Sequence, residues 1–544
     1  MNNTSETAVE GVDAPVKNRS IAALLVAAAA PLVLLTPMLM QRRISPQDEG
    51  QLLAYPSLMI RGFQANTDFV YTYGIANLWT LKAAFMAFGE SVTVERGVGL
   101  AFRLILVLVV TDMVRRTSGR FAGGRFAALA AGWTCALILA FEGIQAFAWI
   151  SALTVGLAAV WMAANLAEER HKLASGLPWL LAGAAISFRV DMALAAVGAV
   201  ALTQYCRSFK PAPAWAAGGL VAGLAPMWIH LLSADKVLSD TLVDPILNGG
   251  GRRLPLVPRD RVLAFSIVLL AVSVVLVLAA LWVGRSERPG THYVNLLALS
   301  SLAILTSPQL IQRVDPTHFR YVGAVLVPAA IASAVLLYTN IPSEKLRRPI
   351  AVIVQGALGL ALVAAVLLGF LPQLRYTALL TRATVTGASH ELSVEVSSDG
   401  RVVPFDPAQS KQLQQTLNAA SAAYEAGHCD RLFVGPGDLR YARYSDTFIY
   451  FLLDRFAPAS RYLEFNPGGA NSVDSKLASE VESADVVIVN SDWDDPASLD
   501  QPPGATASEA GPSSPNDVLR RSFVEVDSFG PWRLLLSERC RNSR

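Results

Sequence analysis

Long apolar runs limit this chain more than any other feature. Residues 21–40 read IAALLVAAAAPLVLLTPMLM, and residues 261–284 read RVLAFSIVLLAVSVVLVLAALWVG. A helix needs about 20 such residues to cross ~30 Å of hydrocarbon, and both runs meet that length. The first is too long for a signal-peptide core and shows no small-residue cleavage site, so it reads as a retained helix. The 544 residues are 53% hydrophobic and 16% charged, a balance that repeated spans produce. The net charge of +2 offers no basic surface of the kind nucleic acid requires.

Apolar length marks about 11 spans: 20–40, 92–114, 124–141, 146–167, 174–188, 190–205, 213–233, 261–284, 292–306, 320–338 and 350–371. The segments 174–188, 190–205 and 292–306 are short for the task. Residues 73–89 are interrupted by Lys82 and Gly89 and suit a helix lying at the interface. The chain thus divides into a tail over 1–19, a membrane domain over 20–371 with a first outer loop at 41–91, and a polar domain over 372–544.

Short basic loops at 115–125, 168–175, 206–212, 285–291 and 339–349 share one side with the tail. The positive-inside rule makes that side the cytoplasm. Arg42, Arg43, Arg252 and Arg253 depart from it. The polar elements that carry chemistry then gather outside: loop 41–91, the junction at Arg189 and Asp191, loops 234–260 and 307–319, and everything after 371.

Beyond 371 the patterning changes. RLFVGP (431–436) and DVVIVNS (485–491) read as buried strands, and 445–456 and 472–484 read as helices. Residues 522–538 read as two strands about a Gly-Pro turn, and 494–516 as a loop. This alternation predicts a small α/β domain. Cys429 precedes one strand and Cys540 follows another. If those strands share a sheet in an oxidising compartment, the two cysteines pair.

Asp48 and Glu49 follow the first span directly. Ser45-Pro46-Gln47-Asp48 also fits a helix start, with Ser45 as cap and Asp48 favoured by the helix dipole. Pro56 interrupts a helix continuing from there. Asp68 heads the aromatic run through Tyr71 and Tyr73, a combination that suits a sugar ring or an interfacial belt. Arg189 and Asp191 lie between two apolar runs, as a ligand site or as a tight turn with a snorkelling arginine. Gln312, Arg313, Asp315, His318 and Arg320 crowd one outer loop, where arginine with histidine forms an anion-binding set. The Gly-rich stretch before Arg252 and Arg253 reads as a connector. No HExxH, CxxC or Walker motif occurs.

The segments QDEG and DFVYTYG after the first span resemble the first outer loop of bacterial GT-C glycosyltransferases, of the protein O-mannosyltransferase and lipid A aminoarabinose transferase type. FRVD, QRVDPTHFR and the run DTFIYFLLDRFAPASRYLEFNPG with DVVIVNSDWD resemble further outer elements of that class. Ile75 and Ala76 stand where mannosyltransferases often show two prolines. The resemblance implies a polytopic α-helical protein of a bacterial cytoplasmic (inner) membrane with an extracytoplasmic α/β domain. It implies a polyprenyl-phosphate sugar donor in the membrane lipid and an outer glycan, lipid or protein acceptor. Asp48 becomes the catalytic position with Glu49 in support. Whether a metal takes part stays open at this point; Asp48 and Glu49 are the residues for a divalent cation, Mg or Mn, if there is one. Asp68, Tyr71, Tyr73, Arg189, Asp191, Arg313, Asp315 and His318 become the donor- and acceptor-binding set. The competing readings are a transporter or lipid flippase, with polar groups at the bilayer midplane, and a non-catalytic envelope-assembly protein on the same fold.

Overall fold

The computed structural model describes residues 13–119, 123–166, 172–207, 213–243, 261–287, 290–308, 316–339, 371–427, 429–441, 445–465, 470, 472, 475–494 and 510–541. Helix α1 covers Asp13–Met40, α2 Asp48–Ile60, α3 Ala76–Phe88, α4 Val92–Thr117, α5 Gly124–Phe141 and α6 Ala148–Asn165. Then come α7 (Lys172–Phe188), α8 (Ala193–Cys206), α9 (Pro213–Gly223), α10 (Ala225–Ser233), α11 (Arg261–Val283), α12 (Thr291–Thr306) and α13 (Pro316–Thr339).

Among the described residues, 5 helices are long and apolar enough to cross a membrane: Ser20–Met40, Val92–Thr117, Gly124–Phe141, Ala148–Asn165 and His318–Thr339. The run at 213–233 is not one straight rod, because α9 and α10 meet at a bend of 50°. The short runs form shorter apolar helices. The expected span at 350–371 lies almost wholly outside the described residues.

Helix α4 shows how local sequence sets these bounds. Ser91 caps it, its hydroxyl accepting the Val94 N–H at 3.2 Å, and Glu95 follows in the first turn. Arg115 and Arg116 close the last turn, where a helix favours cations. The helices share one apolar core that includes Leu32, Leu106, Val110, Leu139, Leu157, Val200, Leu299 and Val325.

Residues 41–91 belong to a second core, shared with the C-terminal part. Tyr55, Phe69, Tyr71 and Leu78 pack there with Phe405, Phe448, Phe451, Leu463 and Trp532. Arg43 Nη1 donates to Asp406 at 2.9 Å, and the Arg42 guanidinium lies 5.0 Å from the Tyr376 ring. These two arginines therefore have specific partners.

A polar hub makes the same connection. Asn66 takes a left-handed φ of 60° and donates to the Tyr71 carbonyl (2.8 Å) and to Asp240 Oδ2 (3.0 Å). Arg461 Nη2 donates to the same Asp240 oxygen at 2.7 Å, and His230 Nε2 lies 2.9 Å from Asn66 Oδ1. First loop, α10 and C-terminal part meet at these four side chains.

After residue 371 an α-helix covers Leu371–Thr386, and a hairpin pairs β1 (Val394–Ser398) with β2 (Arg401–Phe405) antiparallel. A five-stranded sheet follows, with β3 (Arg431–Pro436), β4 (Ala457–Pro458), β5 (Val486–Asn490), β6 (Phe523–Phe529) and β7 (Trp532–Ser537) in the order β4-β3-β5-β7-β6. Strands β3, β4 and β5 are parallel, and β7 and β6 add antiparallel. Both strand readings near 431 and 485 hold. The helices are shorter than expected, at Ile449–Leu452 and Leu477–Glu482, and the helix Ser514–Ser522 begins inside the stretch 494–516 that was expected to be a loop. Cys429 and Cys540 form a disulfide with Cα atoms 5.6 Å apart.

Candidate functional site

Helix α2 begins at Asp48 itself, with Gln47 at the cap position and no side-chain cap. Ser45 is not the cap, because Gln47 is drawn the other way. Its Nε2 donates to Glu464 Oε1 at 3.1 Å, and its Oε1 accepts the Ser445 N–H at 3.0 Å. Nor does Pro56 end the helix, which continues through it to Ile60. Asp48 is exposed at the first turn and Glu49 is fully buried.

Glu49 is held by Arg96 of α4. Arg96 Nε donates to Oε1 at 2.6 Å and Nη2 to Oε2 at 3.0 Å, and both side chains are 0% exposed. Arg96 Nη1 also donates to the Met40 carbonyl at 2.7 Å, at the end of the first span. The pair thus fixes the start of α2 against α1 and α4. A buried bidentate pair of this kind is a weak source of net stability but a strong orienting device once formed.

Gly50 explains the last letter of QDEG. A Cβ there would lie 2.5 Å from the Phe448 backbone nitrogen. The missing side chain lets the C-terminal part close over the start of α2. Gly74 serves the 187–191 junction in the same manner, since a Cβ would strike the Ser187 carbonyl oxygen. The Gly74 N–H donates to the Phe188 carbonyl at 3.1 Å.

These contacts gather several of the residues expected from sequence. The Tyr55 and Tyr71 rings lie 6.0 Å apart, and Tyr71 and Tyr73 5.7 Å apart. The Arg189 guanidinium sits 5.5 Å from the Tyr73 ring, and its Nε donates to Asp191 at 2.8 Å. Asn77, at the start of α3, donates to the Ala146 carbonyl and accepts from Ser151 Oγ. This ties the aromatic row to the start of α6. There Trp149 stacks on Tyr321 at 3.7 Å, and the His318 ring lies 5.2 Å from Tyr321. Asp68 stands apart in role. It is exposed, and its carboxylate accepts the Gln64 N–H at 2.7 Å. Arg313 and Asp315 lie outside the described residues, as do Arg252 and Arg253.

Sequence reasoning passed over the buried charges of α4. Glu95 accepts the Ala146 N–H at 2.6 Å, and Arg103 donates to the Gln145 carbonyl at 2.6 Å. Arg320 pairs with Glu142. Glu95, Arg96 and Arg103 sit inside an apolar span, and ionisable groups in a span are a functional signal by themselves. Glu464 carried no such signal.

Among the described residues no three His, Cys, Asp or Glu side chains converge. Both Glu49 oxygens are engaged by Arg96, so Glu49 of the expected pair is already committed to a cation of the protein itself.

With helices long and apolar enough to cross a membrane and the 41–91 loop packed against a C-terminal sheet, the chain has a GT-C-like fold. The chain is similar to ArnT from Cupriavidus metallidurans bound to undecaprenyl phosphate, with a TM-score of 0.53 and 14% identity over 94% of this chain and 98% of that one. The apo state of the same protein gives a TM-score of 0.53 over 95% and 98%. The apo oligosaccharyltransferase of Archaeoglobus fulgidus is more distant, with a TM-score of 0.46 and 12% identity over 86% of this chain and 69% of that one. No family model matches the sequence, and comparison with curated proteins gives no significant match.

Proposed function

We propose that the chain is a membrane glycosyltransferase that moves a sugar from a polyprenyl-phosphate donor to an extracytoplasmic acceptor. The observation that carries this reading is the placement of Asp48. It is exposed at the N-terminus of α2, beside a carboxylate locked to Arg96 and within a GT-C-like fold. The undecaprenyl phosphate held by the similar ArnT structure supports a polyprenyl phosphate as donor.

The reaction on this reading is one displacement at the anomeric carbon. The acceptor oxygen bonds to that carbon as its bond to the phosphate oxygen breaks. Asp48 takes the acceptor proton and passes it to solvent. The polyprenyl phosphate leaves with the electron pair, its charge met by Arg189 and His318, with Arg313 as a further candidate. The aromatic row of Tyr71 and Tyr73 supplies a face for the sugar. Glu49 orients α2, and no step is routed through a metal.

The site then faces outward, with 41–91 and 372–544 extracytoplasmic and eleven spans of the bacterial cytoplasmic membrane behind them. Purified full-length chain in nanodiscs, given undecaprenyl phosphate carrying radiolabelled glucose, mannose, galactose or arabinose and a solubilised bacterial envelope extract, tests the reading. Label entering the extract with release of undecaprenyl phosphate supports it. Movement of the intact labelled donor between leaflets with no cleavage contradicts it and favours a flippase.

A further inference from the structure

Glu464 belongs to the C-terminal part, yet it reaches the first outer loop. It is 9% exposed, and its Oε1 accepts from Gln47, the residue before Asp48. Its charge acts on Tyr55 and Tyr71.

The surrounding polar groups are unusual. Gln51 and Tyr55 follow Asp48 at three and seven residues, so all three share one side of α2. Gln51 Oε1 and the Tyr55 hydroxyl are buried and have no hydrogen-bond partner among the described residues. The Tyr71 hydroxyl approaches Asn77, whose amide is engaged with Ser151 and the Ala146 carbonyl, and makes no hydrogen bond of good geometry. Burial, with the Glu464 charge after it, holds the Tyr55 phenol well above its ordinary range, so it stays a proton donor. Leaving such groups unpaired costs free energy, and a ligand hydroxyl would complete their bonding here.

We propose that Glu464, with the Tyr55 and Tyr71 hydroxyls and Gln51, positions the acceptor by binding the hydroxyls that flank the one Asp48 deprotonates. Two phenol donors, an amide oxygen and a carboxylate match a polyol, which both gives and takes hydrogen bonds. The charge of Glu464 selects the acceptor rather than the donor. A carboxylate repels a lipid phosphate, and Arg189 stands at the other end of the aromatic row, beyond Tyr73. Glu464 is thus a positioning and specificity residue, supplied by the C-terminal part to a site in the first loop. This inference rests on the glycosyltransferase reading above.

The test is transfer from the same four labelled undecaprenyl-phosphate sugars to the solubilised envelope extract, with donor and extract titrated separately. Glu464→Gln keeps an amide oxygen for Gln47 to donate to, and Tyr55→Phe removes a hydroxyl that has no hydrogen-bond partner among the described residues. For both variants the expected result is an apparent acceptor KM raised about tenfold or more, with the donor KM unmoved. The thermal midpoint of Tyr55→Phe should be equal to or above that of the wild type, since no protein hydrogen bond is lost. Unchanged acceptor KM in both variants, beside an active wild type, overturns the inference and leaves the function standing. An equal fall in kcat with no change in acceptor KM overturns it as well, by reducing Glu464 to a structural tie. A wild type that cleaves none of the donors overturns the functional reading and this inference together.

Discussion

Arg96 meets both carboxylate oxygens of Glu49, at 2.6 and 3.0 Å, where neither side chain has any exposure. The pair stands one residue from Asp48 and joins the first loop to α4. Arg96→Ala strands a buried carboxylate and is expected to cost about 3–5 kcal/mol. Replacing the pair by Arg96→Met with Glu49→Leu should recover most of that stability while leaving transfer low, because α2 loses its anchor to the Met40 carbonyl and α4. Thermal unfolding and transfer, measured on the same samples, check this. Full activity in the double variant would reduce the pair to packing.

Gly50 has no room for a methyl group. Gly50→Ala places a Cβ 2.5 Å from the Phe448 nitrogen, and backbone cannot rotate away as a side chain can. Overpacking of this kind costs about 1–3 kcal/mol. The expected variant inserts normally, unfolds at lower temperature and transfers sugar at least about tenfold more slowly. Wild-type values for both would show that Phe448 shifts freely.

The Cys429–Cys540 disulfide closes a loop with a sequence separation of 111. In the chain-entropy model a loop near that size is worth about 4–5 kcal/mol, and measured values often fall short. Cys429→Ser and Cys540→Ser should each lower the unfolding midpoint of the C-terminal part, and the double variant should lower it no further. Non-reducing mass spectrometry should find one intact bond in protein from its native membrane. Free thiols at both positions would contradict the pairing.

The proposed orientation makes a separate prediction. Ser513 and Arg125 are both exposed. Cysteine introduced at Ser513 should react with a membrane-impermeant maleimide in cells whose outer barrier is permeabilised, and cysteine at Arg125 should react after lysis. The reverse pattern would place the site on the cytoplasmic side.

Much of this was legible before any coordinates. Strands β3 and β5 read as buried strands because they are short, apolar and bounded by turn residues. The cysteine pair followed from the start of β3 and the end of β7. Tyr71, Tyr73, Arg189 and Asp191 were named from composition, and their proximity is a property of Gly74 and the 187–191 turn, which no local pattern announces. Ser45 was misread because a helix-start motif is local, whereas Gln47 is committed to Ser445 and Glu464 some 400 residues away. Glu464 lies in the run DTFIYFLLDRFAPASRYLEFNPG, which carried a resemblance but gave Glu464 no role of its own, and its meaning comes from that distant partner. Arg96 is the opposite case. A charge inside an apolar run was visible, and its partner was the acid already under discussion.

The central claim is that Asp48 acts in group transfer. Asp48→Asn removes the charge from an exposed residue in the first turn of α2 while keeping its size and shape. The decisive measurement is the rate of sugar release from the labelled undecaprenyl-phosphate donors by this variant in nanodiscs. The account predicts normal insertion, an unchanged unfolding midpoint and a rate at least about 100-fold below wild type, the scale of a lost acid–base group. A wild-type rate from Asp48→Asn would contradict it.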